Sequence, residues 1–415
     1  MNRLSSFVLA LGLVAASTGQ GRTASATAAA PPAAPGATKG SPSPSSGFAF
    51  ELFQQARTTN KNVLVGTSSL YSVLSMTALG ATANTRSEMA RVLRTDGEPQ
   101  KIVSAAREDA RALQATVRGG AELRTSNRLF VASGFPLLAS FARDAEAGFD
   151  AKPQTLDFAT SLDAARTTIN QLVSADTRRK IPELLPQGTL STTTRLVLTN
   201  AVYFKAAWDT PFVKSQTRSS AFYTPSGSGS ASSVPTMHGM QRLVAAVFPG
   251  GKMVEIPYRD TDLVMDVILP DDRAGLDAQA TKLDAGTFAT LVSTLSPRDV
   301  TISLPKFSYA WGSSVVPALT RMGMKSAFSG STGFAGISTR EGLKVDDVVQ
   351  KTFIGVDEAG TEAAAASAVE MSNPSAMMPA PAPAFDFTAD HPFLFVLRAG
   401  SRVLFVGQVA SPKGE

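Results

Sequence analysis

The sequence predicts a mixed, α+β chain, and three observations carry that prediction. Helix-period apolar runs crowd the first third, between Gly47 and Val117. Strand-like runs rich in Val, Ile and Leu follow at Leu196–Phe212, Val254–Pro257, Leu263–Pro270 and Val300–Phe307. The chain then closes on two apolar runs, Phe393–Leu397 and Val403–Val409, that read as a buried hairpin through Ala399-Gly400-Ser401. With 415 residues, 43% hydrophobic and 18% charged, there is material for one large domain or two ordinary ones, and for a sizeable core.

Composition removes several functions. A net charge of +5 without any dense Lys/Arg run argues against nucleic acid. The absence of cysteine excludes disulfides, thiolate metal sites, a Cys nucleophile and a lipid-modified N-terminal Cys. Two histidines, His238 and His391, do not make a His-rich metal site, so neither metal nor cofactor is expected. Arg3, the apolar run Phe7–Ala16 and the Ala24-Ser25-Ala26 triplet read as a signal peptide over residues 1–26. The run is too short to span a bilayer, so the expectation is a secreted protein, extracellular or periplasmic, and no membrane partner. Residues 27–46, rich in Ala, Pro, Ser and Gly, read as a disordered linker before a domain over 47–415.

Taken in order, Gly47–Ala56 reads as an amphipathic helix and Asn62–Val65 as a short strand. Ser68-Ser69 then caps an apolar helix through Leu79 that ends at Gly80, and Thr85–Leu93 forms another. Lys101–Val117 is a helix of mixed charge. Glu108 and Asp109 dilute Lys101, Arg107, Arg111 and Arg118, which reads as a solvated face rather than a glycosaminoglycan site. Asp163–Val173 is helical. In the strand that opens at Leu196, Asn200 interrupts an apolar run and must hydrogen-bond if buried. Gly227–Ser233 is a Gly/Ser loop, Val254–Pro257 pairs with Leu263–Pro270 through Tyr258–Asp262, Val300–Phe307 alternates as one strand, and Val315–Met322 is helical.

The stretch Lys351–Phe395 has two readings. By propensity Ala363–Ala366 is helix. At period two, Thr361, Ala363, Ala365, Ser367 and Val369 share an uncharged face, while Glu362 and Glu370 fall on the other. Such a segment is compatible with a solvated loop and with the middle of a sheet.

Glu358-Ala359-Gly360-Thr361-Glu362-Ala363-Ala364-Ala365-Ala366 closely resembles the hinge of inhibitory serpins. Further motifs resemble the same family in order: Asn62–Leu93, Asn127–Val131, Leu196–Phe212 with Asn200, Phe204 and Trp208, the short strand Val234–Met237, Gly323–Phe328 and Phe334–Ser338. The resemblance runs from Gly47 to Pro412. It implies one α+β serpin domain with three β-sheets, about eight or nine helices, and an exposed reactive-centre loop at about 359–386. It makes Glu358, Gly360, Thr361, Glu362, Ala363, Ala364, Ala365 and Ala366 the hinge, and places Trp208, Lys306 and Glu358 at the top of the central sheet. Ser69, Asn200 and Gln350 fall where that sheet must part. Two positions depart from the family's habit: Gly66-Thr67 stands where Ser-Pro is usual, and Gln350 where a histidine is common.

The function implied is a monomeric suicide-substrate inhibitor that holds a serine protease as a covalent acyl complex. The alternative is a non-inhibitory serpin acting as carrier, chaperone or storage protein, which tends to carry bulky, charged or Pro residues in the hinge. An enzyme is not expected. There is no G-x-S-x-G, and Ser303-Leu304-Pro305-Lys306 sits in a strand pattern rather than on a helical face. No Lys or Arg occurs from Thr352 to Leu397, which argues against a trypsin-like target. The family's usual spacing puts the cut at Pro374-Ser375, where the Pro ring hinders an extended fit. Asn373-Pro374 and Met378-Pro379 are disfavoured by the Pro that follows. Ser375-Ala376, Ala376-Met377 and Met377-Met378 are left, with Met371-Ser372 upstream. Met377-Met378 is the single choice, for an elastase-, chymotrypsin- or subtilisin-like enzyme.

Overall fold

The computed structural model describes residues 43–413 except 119, 150, 152, 225–230, 330–332 and 362–383. The expected signal peptide, nearly all of the linker and most of the Gly/Ser loop lie outside the described residues.

The first helix, α1 (Pro44–Ala56), starts earlier than expected. The Ser43 hydroxyl accepts from the Ser46 N–H and Pro44 takes the first helical turn, where its missing donor costs nothing. Ser45 and Ser46 are buried, so residues 44–46 belong to the domain and not to the linker. β1 (Val63–Gly66) runs straight into α2 (Thr67–Leu79). Gly66 is the N-cap position and no side chain caps the helix. Ser68 and Ser69 therefore do not cap it; they lie in its first turn, and Ser69 donates back to the Gly66 carbonyl at 3.2 Å. α3 (Ala83–Val92), α4 (Pro99–Thr116), β2 (Glu122–Ala132), α5 (Ala139–Phe149), β3 (Gln154–Leu156) and α6 (Leu162–Asp176) follow. Then come β4 (Leu196–Ala207), β5 (Arg218–Tyr223), β6 (Ala231–Phe248), β7 (Gly251–Pro257) and β8 (Leu263–Pro270). α7 (Leu276–Lys282) and α8 (Ala285–Thr294) precede β9 (Ser296–Pro305) and β10 (Phe307–Ser314). The chain ends with α9 (Val316–Arg321), α10 (Ser326–Ser329), β11 (Asp347–Asp357), β12 (Gly360–Thr361), β13 (Phe385–Thr388), β14 (Phe393–Ala399) and β15 (Arg402–Val409).

Val300–Phe307 is two strands, not one. Pro305 cannot donate to the next ladder position, and the chain crosses from one sheet to the other at Lys306. Six strands form one sheet in the order β10-β11-β12-β4-β2-β3. Nine form the other, β1-β15-β14-β8-β7-β6-β9-β13, with β5 on β6. Where three sheets were implied, hydrogen bonding joins two of them through β6. The short strand expected at Val234–Met237 is part of this 18-residue strand, which pairs with β5, β7 and β9. The described residues include ten α-helices. One apolar cluster packs the helices against the sheets; a second takes Val202, Phe204 and Val356 from the six-stranded sheet and Phe393, Phe395 and Leu397 from the other.

Candidate functional site

β4 and β11 run parallel from Val197 and Asp347 up to Tyr203 and Phe353. β4 is buried along nearly its whole length, whereas β11 alternates buried residues with partly exposed ones, buried at Val348, Val349, Gln350, Thr352, Ile354 and Val356. Halfway along this seam the pairing turns polar. Asn127, Asn200 and Gln350 stand in register on β2, β4 and β11. Asn200 Nδ2 donates to Asn127 Oδ1 at 2.6 Å, while Asn200 Oδ1 accepts from the Ser69 hydroxyl at 3.2 Å and from Gln350 Nε2. Gln350 also grips Gly66 at two points: its Oε1 accepts from the backbone N–H at 3.1 Å, and its Nε2 donates to the carbonyl at 2.8 Å.

The two departures noted in the sequence thus belong together. A Cβ on Gly66 would come within 3.0 Å of Val202 and 3.2 Å of Thr352, so glycine leaves the room in which the longer Gln350 reaches the backbone. Every member of the cluster is a neutral amide, hydroxyl or peptide group that does not titrate in the ordinary pH range. Ser69, Asn200 and Gln350 were singled out in the sequence. Asn127 and Gly66 were not assigned to this cluster; the only signal for Asn127 is a polar residue within a strand run, as at Asn200.

Above Tyr203 and Phe353 the two strands part, and β12 fills the gap. Asp357 Oδ1 accepts from the Ala359 and Gly360 N–H groups, turning the chain back on β11. Gly360 then lies opposite Asp357 and Ala207, and Thr361 opposite Val356 and Ala206, antiparallel to both neighbours. Only glycine fits at 360: φ is 153°, and a Cβ would lie 2.1 Å from the Ala206 carbonyl oxygen. Thr361 is fully buried, its hydroxyl sharing a 2.6 Å hydrogen bond with that of Tyr258. Burial holds the Tyr258 hydroxyl protonated, far above its usual pKa. Tyr258 stacks on Trp208 with ring centroids 4.5 Å apart, and Trp208 Nε1 donates to the Asp357 carbonyl at 2.9 Å.

Glu358 anchors the turn. Its carboxylate accepts from Lys306 Nζ at 2.8 Å and from Thr217 Oγ1 at 2.7 Å. Burial pushes the Glu358 carboxyl up, but these two hydrogen bonds, together with a backbone hydrogen bond and the Lys306 charge, hold the group below its usual pKa. Trp208, Lys306 and Glu358 therefore meet in one corner. Thr217 and Tyr258 complete it and carried no sequence pattern; Tyr258 reads only as a hairpin-turn residue. One expectation needs correcting: 359–361 and 385–386 are not exposed loop. Gly360 and Thr361 are sheet, and Phe385 opens β13, so the connection between strands is 362–384. Glu362, Ala363, Ala364, Ala365 and Ala366 lie outside the described residues, as do Met371, Pro374, Ser375, Ala376, Met377 and Met378.

The catalytic alternatives come apart in space. Ser303 Oγ bonds to His238 Nδ1 at 2.9 Å, whereas Lys306 bonds to Glu358, so the two ends of the Ser303–Lys306 pattern serve different partners. The other nitrogen of His238 meets Ser220 at 3.3 Å; among the described residues no carboxylate orients the ring. His391 is buried, donating from Nε2 to the Pro270 carbonyl at 2.7 Å. Among the described residues no group of three His, Asp or Glu could hold a metal ion.

Residues 43–412 match the family model described as serpin (serine protease inhibitor). The chain belongs to the serpin family. Leukocyte elastase inhibitor of Xenopus tropicalis is 33% identical to this serpin over 376 residues, 88% of this chain and 97% of that one. The solved structure of Serpin48 from the insect Tenebrio molitor is similar at a TM-score of 0.76 and 28% identity, covering 89% of this chain and 95% of that one. Human thyroxine-binding globulin superposes at a TM-score of 0.79 with 25% identity, over 89% and 98% of the two chains. The family is one of protease inhibitors rather than catalysts, with relatives named as inhibitors and one named for binding a hormone.

Proposed function

We propose that this serpin is a secreted, monomeric suicide-substrate inhibitor of elastase-, chymotrypsin- or subtilisin-like serine proteases. The observation that carries the reading is the position of β12: the chain that leads into the loop already occupies the top of the β4–β11 seam. The protease serine attacks the carbonyl before the cut, the peptide C–N bond breaks, the new amine takes a proton and leaves, and an ester joins loop to enzyme. The register then sets the path. Continued down the seam, the loop brings Met371 opposite Leu196 on β4 and Glu370 opposite Asp347 on β11. Residues from Gly360 to Met371 would fill the seam over roughly 40 Å. The acylated residue must lie at or beyond Met371, as every candidate bond does.

Insertion removes the protease from its catalytic geometry before water can cleave the ester. Ser367, on the uncharged face, would arrive opposite both Asn200 and Gln350, where a hydroxyl can take up the bonds those amides lose. The downstream piece stays in place, because β14 lies between β15 and β8. A carrier role is the second reading, favoured by the likeness to thyroxine-binding globulin. The small hinge residues and the polar seam favour inhibition over it.

Incubation with a panel of proteases, a denaturing gel and the mass of the released peptide test this. A covalent adduct with an elastase-, chymotrypsin- or subtilisin-like enzyme is expected, with a peptide starting between Ser372 and Met378. Turnover of the loop with no adduct, or a rapid adduct with trypsin, is the contrary result.

A further inference from the structure

Glu358 receives its two side-chain partners from strands that do not pair with each other. Thr217 stands at the entry to β5 and Lys306 at the exit of β9. β6 lies between these strands and pairs with both. Arg218, Thr236 and Pro305 form one row across β5, β6 and β9, and Thr217 and Lys306 are the next residues beyond it. One side chain reaches across β6 to both of its neighbours. His238 meets Ser303 Oγ on β9 through Nδ1 at 2.9 Å, and Ser220 Oγ on β5 through Nε2 at 3.3 Å. Ser220 follows Thr217 by three residues and Ser303 precedes Lys306 by three, so the imidazole braces the same two strands just below the Glu358 corner. Both partners are hydroxyls, which turn to donate or to accept. A neutral ring donates from one nitrogen and accepts at the other, so both bonds are made without a charge.

The charges on the surrounding strands do not favour a cation here. Arg218 on β5 repels one. Lys306 on β9 is taken by Glu358, and Arg242 on β6 by Asp299. Asp386 on β13 stands opposite Thr301 rather than Ser303, and Lys214, in the turn before β5, is exposed. Burial, and then the Arg218 charge, hold the His238 ring below its usual pKa. The neutral ring therefore favours the closed corner. That preference is complete above the ordinary histidine value of about 6.5 and is lost as pH falls below it, because an opened corner takes up the proton first.

We propose that His238 is a positioning residue for the hinge: its neutral ring braces β5 against β9 so that Thr217 and Lys306 meet Glu358 together, and its protonation in acid drives Arg218 and β5 away and withdraws Thr217. Glu358 then holds the turn before β12 through Lys306 without Thr217, and Gly360 and Thr361 leave the top of the seam more often. Insertion of the uncut loop is limited lower down, at the Gln350 cluster, so its rate is not expected to follow this titration. The fate of a cut loop depends on whether β12 is already seated, so acid should divert it from adduct to cleaved inhibitor. That consequence rests on the insertion reading above; the positioning role does not.

The test follows the protection of the Gly360 and Thr361 amides against hydrogen exchange, relative to their intrinsic rate, in the full intact chain from about pH 8 to about pH 5, with the amides of β1 as control. In the native protein hinge protection should fall by about threefold or more across that range while β1 keeps its own. His238→Gln keeps a donor and an acceptor but gains no proton, so its hinge protection should stay flat until Glu358 itself titrates. Arg218→Ala should shrink the fall, because the repulsion is gone. A histidine that only filled space would give neither response. The same profile in the native protein and in His238→Gln, or an equal fall at β1, overturns the proposal. The ratio of adduct to cleaved inhibitor, measured with a protease of the proposed class at the same pH values, should drop in acid for the native protein and not for His238→Gln. Equal ratios overturn the consequence for the cut loop. No adduct at any pH instead removes the insertion reading and that consequence with it, and the positioning role then stands or falls on the amides.

Discussion

The two sheets place their buried polar groups differently. In the six-stranded sheet, the β4–β11 seam is bridged at mid-height by Asn127, Asn200, Gln350, Ser69 and the Gly66 backbone, all neutral. In the nine-stranded sheet, β14 is walled in by β15 and β8 and buries an ionic triad. Arg398 bonds to Asp266 at 2.6 Å and to Glu255 on β7, and all three groups are largely withdrawn from water. Neutral donors and acceptors can part and pair again with an incoming strand at little net cost. Separating a buried ion pair strands a charge, at about 3–5 kcal/mol. On the insertion mechanism proposed above, the difference marks which sheet would open and which would stay shut. Substitutions in the seam should therefore change how a cut loop partitions, and substitutions in the triad should change only global stability.

Thr361→Arg should have the largest effect. It puts a guanidinium with no partner where the threonine is fully buried, at a cost of several kcal/mol. The substitution should expel β12 and turn inhibitor into substrate, read as the ratio of adduct to cleaved serpin. An undiminished yield of adduct means that β12 does not lead insertion.

Gln350→Ala comes next. It frees both polar groups of Gly66 and one side of Asn200, at about 2–4 kcal/mol. The intact protein should melt lower and insert its loop spontaneously sooner. Gln350→His should add a dependence of that rate between about pH 5 and 7, which the native cluster lacks. A native insertion rate that already varies over that range speaks against the role given to Gln350.

Glu255→Gln sharpens the other side of the comparison. Burial, and then the Asp266 charge, push the Glu255 carboxyl up to about 7 against the pull of Arg398. A carboxyl raised in the folded state contributes stability that is present below its unfolded pKa and lost as pH rises through about 7. The variant, which keeps the neutral form, should match the native protein at pH 5 and exceed it at pH 8 by about 1–3 kcal/mol in denaturant melts, with an unchanged adduct yield.

Lys306→Ala should have the smallest effect, below about 1.5 kcal/mol. Its signature is acid behaviour. The depressed Glu358 carboxyl stabilises the hinge above the usual glutamate pKa, and that contribution is lost as pH falls through the lower folded value. The protection of the Gly360 and Thr361 amides against hydrogen exchange, relative to their intrinsic rate at each pH, should fall in acid for the native protein and already be low at neutral pH in the variant.

How much of this was legible follows from what local pattern can carry. The β7–β8 and β14–β15 hairpins were plain, because apolar runs flank short turns. Asn200 stood out as a polar residue in an apolar strand. The roles of Ser69, Trp208 and Lys306 came from family resemblance, not from period or spacing. The length of β6 was hidden by Pro235, Gly239 and its polar residues, which break a strand signal that pairing on both edges overrides. The start of α1 was written as Ser43-Pro44, a cap followed by a first-turn proline, inside a tract whose composition read as linker. Tyr258, Thr217 and Gly66 act through partners far away in sequence, and no window along the chain contains both halves of such a contact.

The central claim is that β4 and β11 form a seam that a cut loop fills. The most direct measurement compares the melting temperature of the intact protein with that of the protein nicked once within the loop, at the same pH. An inserted strand adds a ladder along both edges of the seam, so the nicked protein should melt higher by more than about 10 °C. Equal melting temperatures, with the nick confirmed by mass, would contradict the claim.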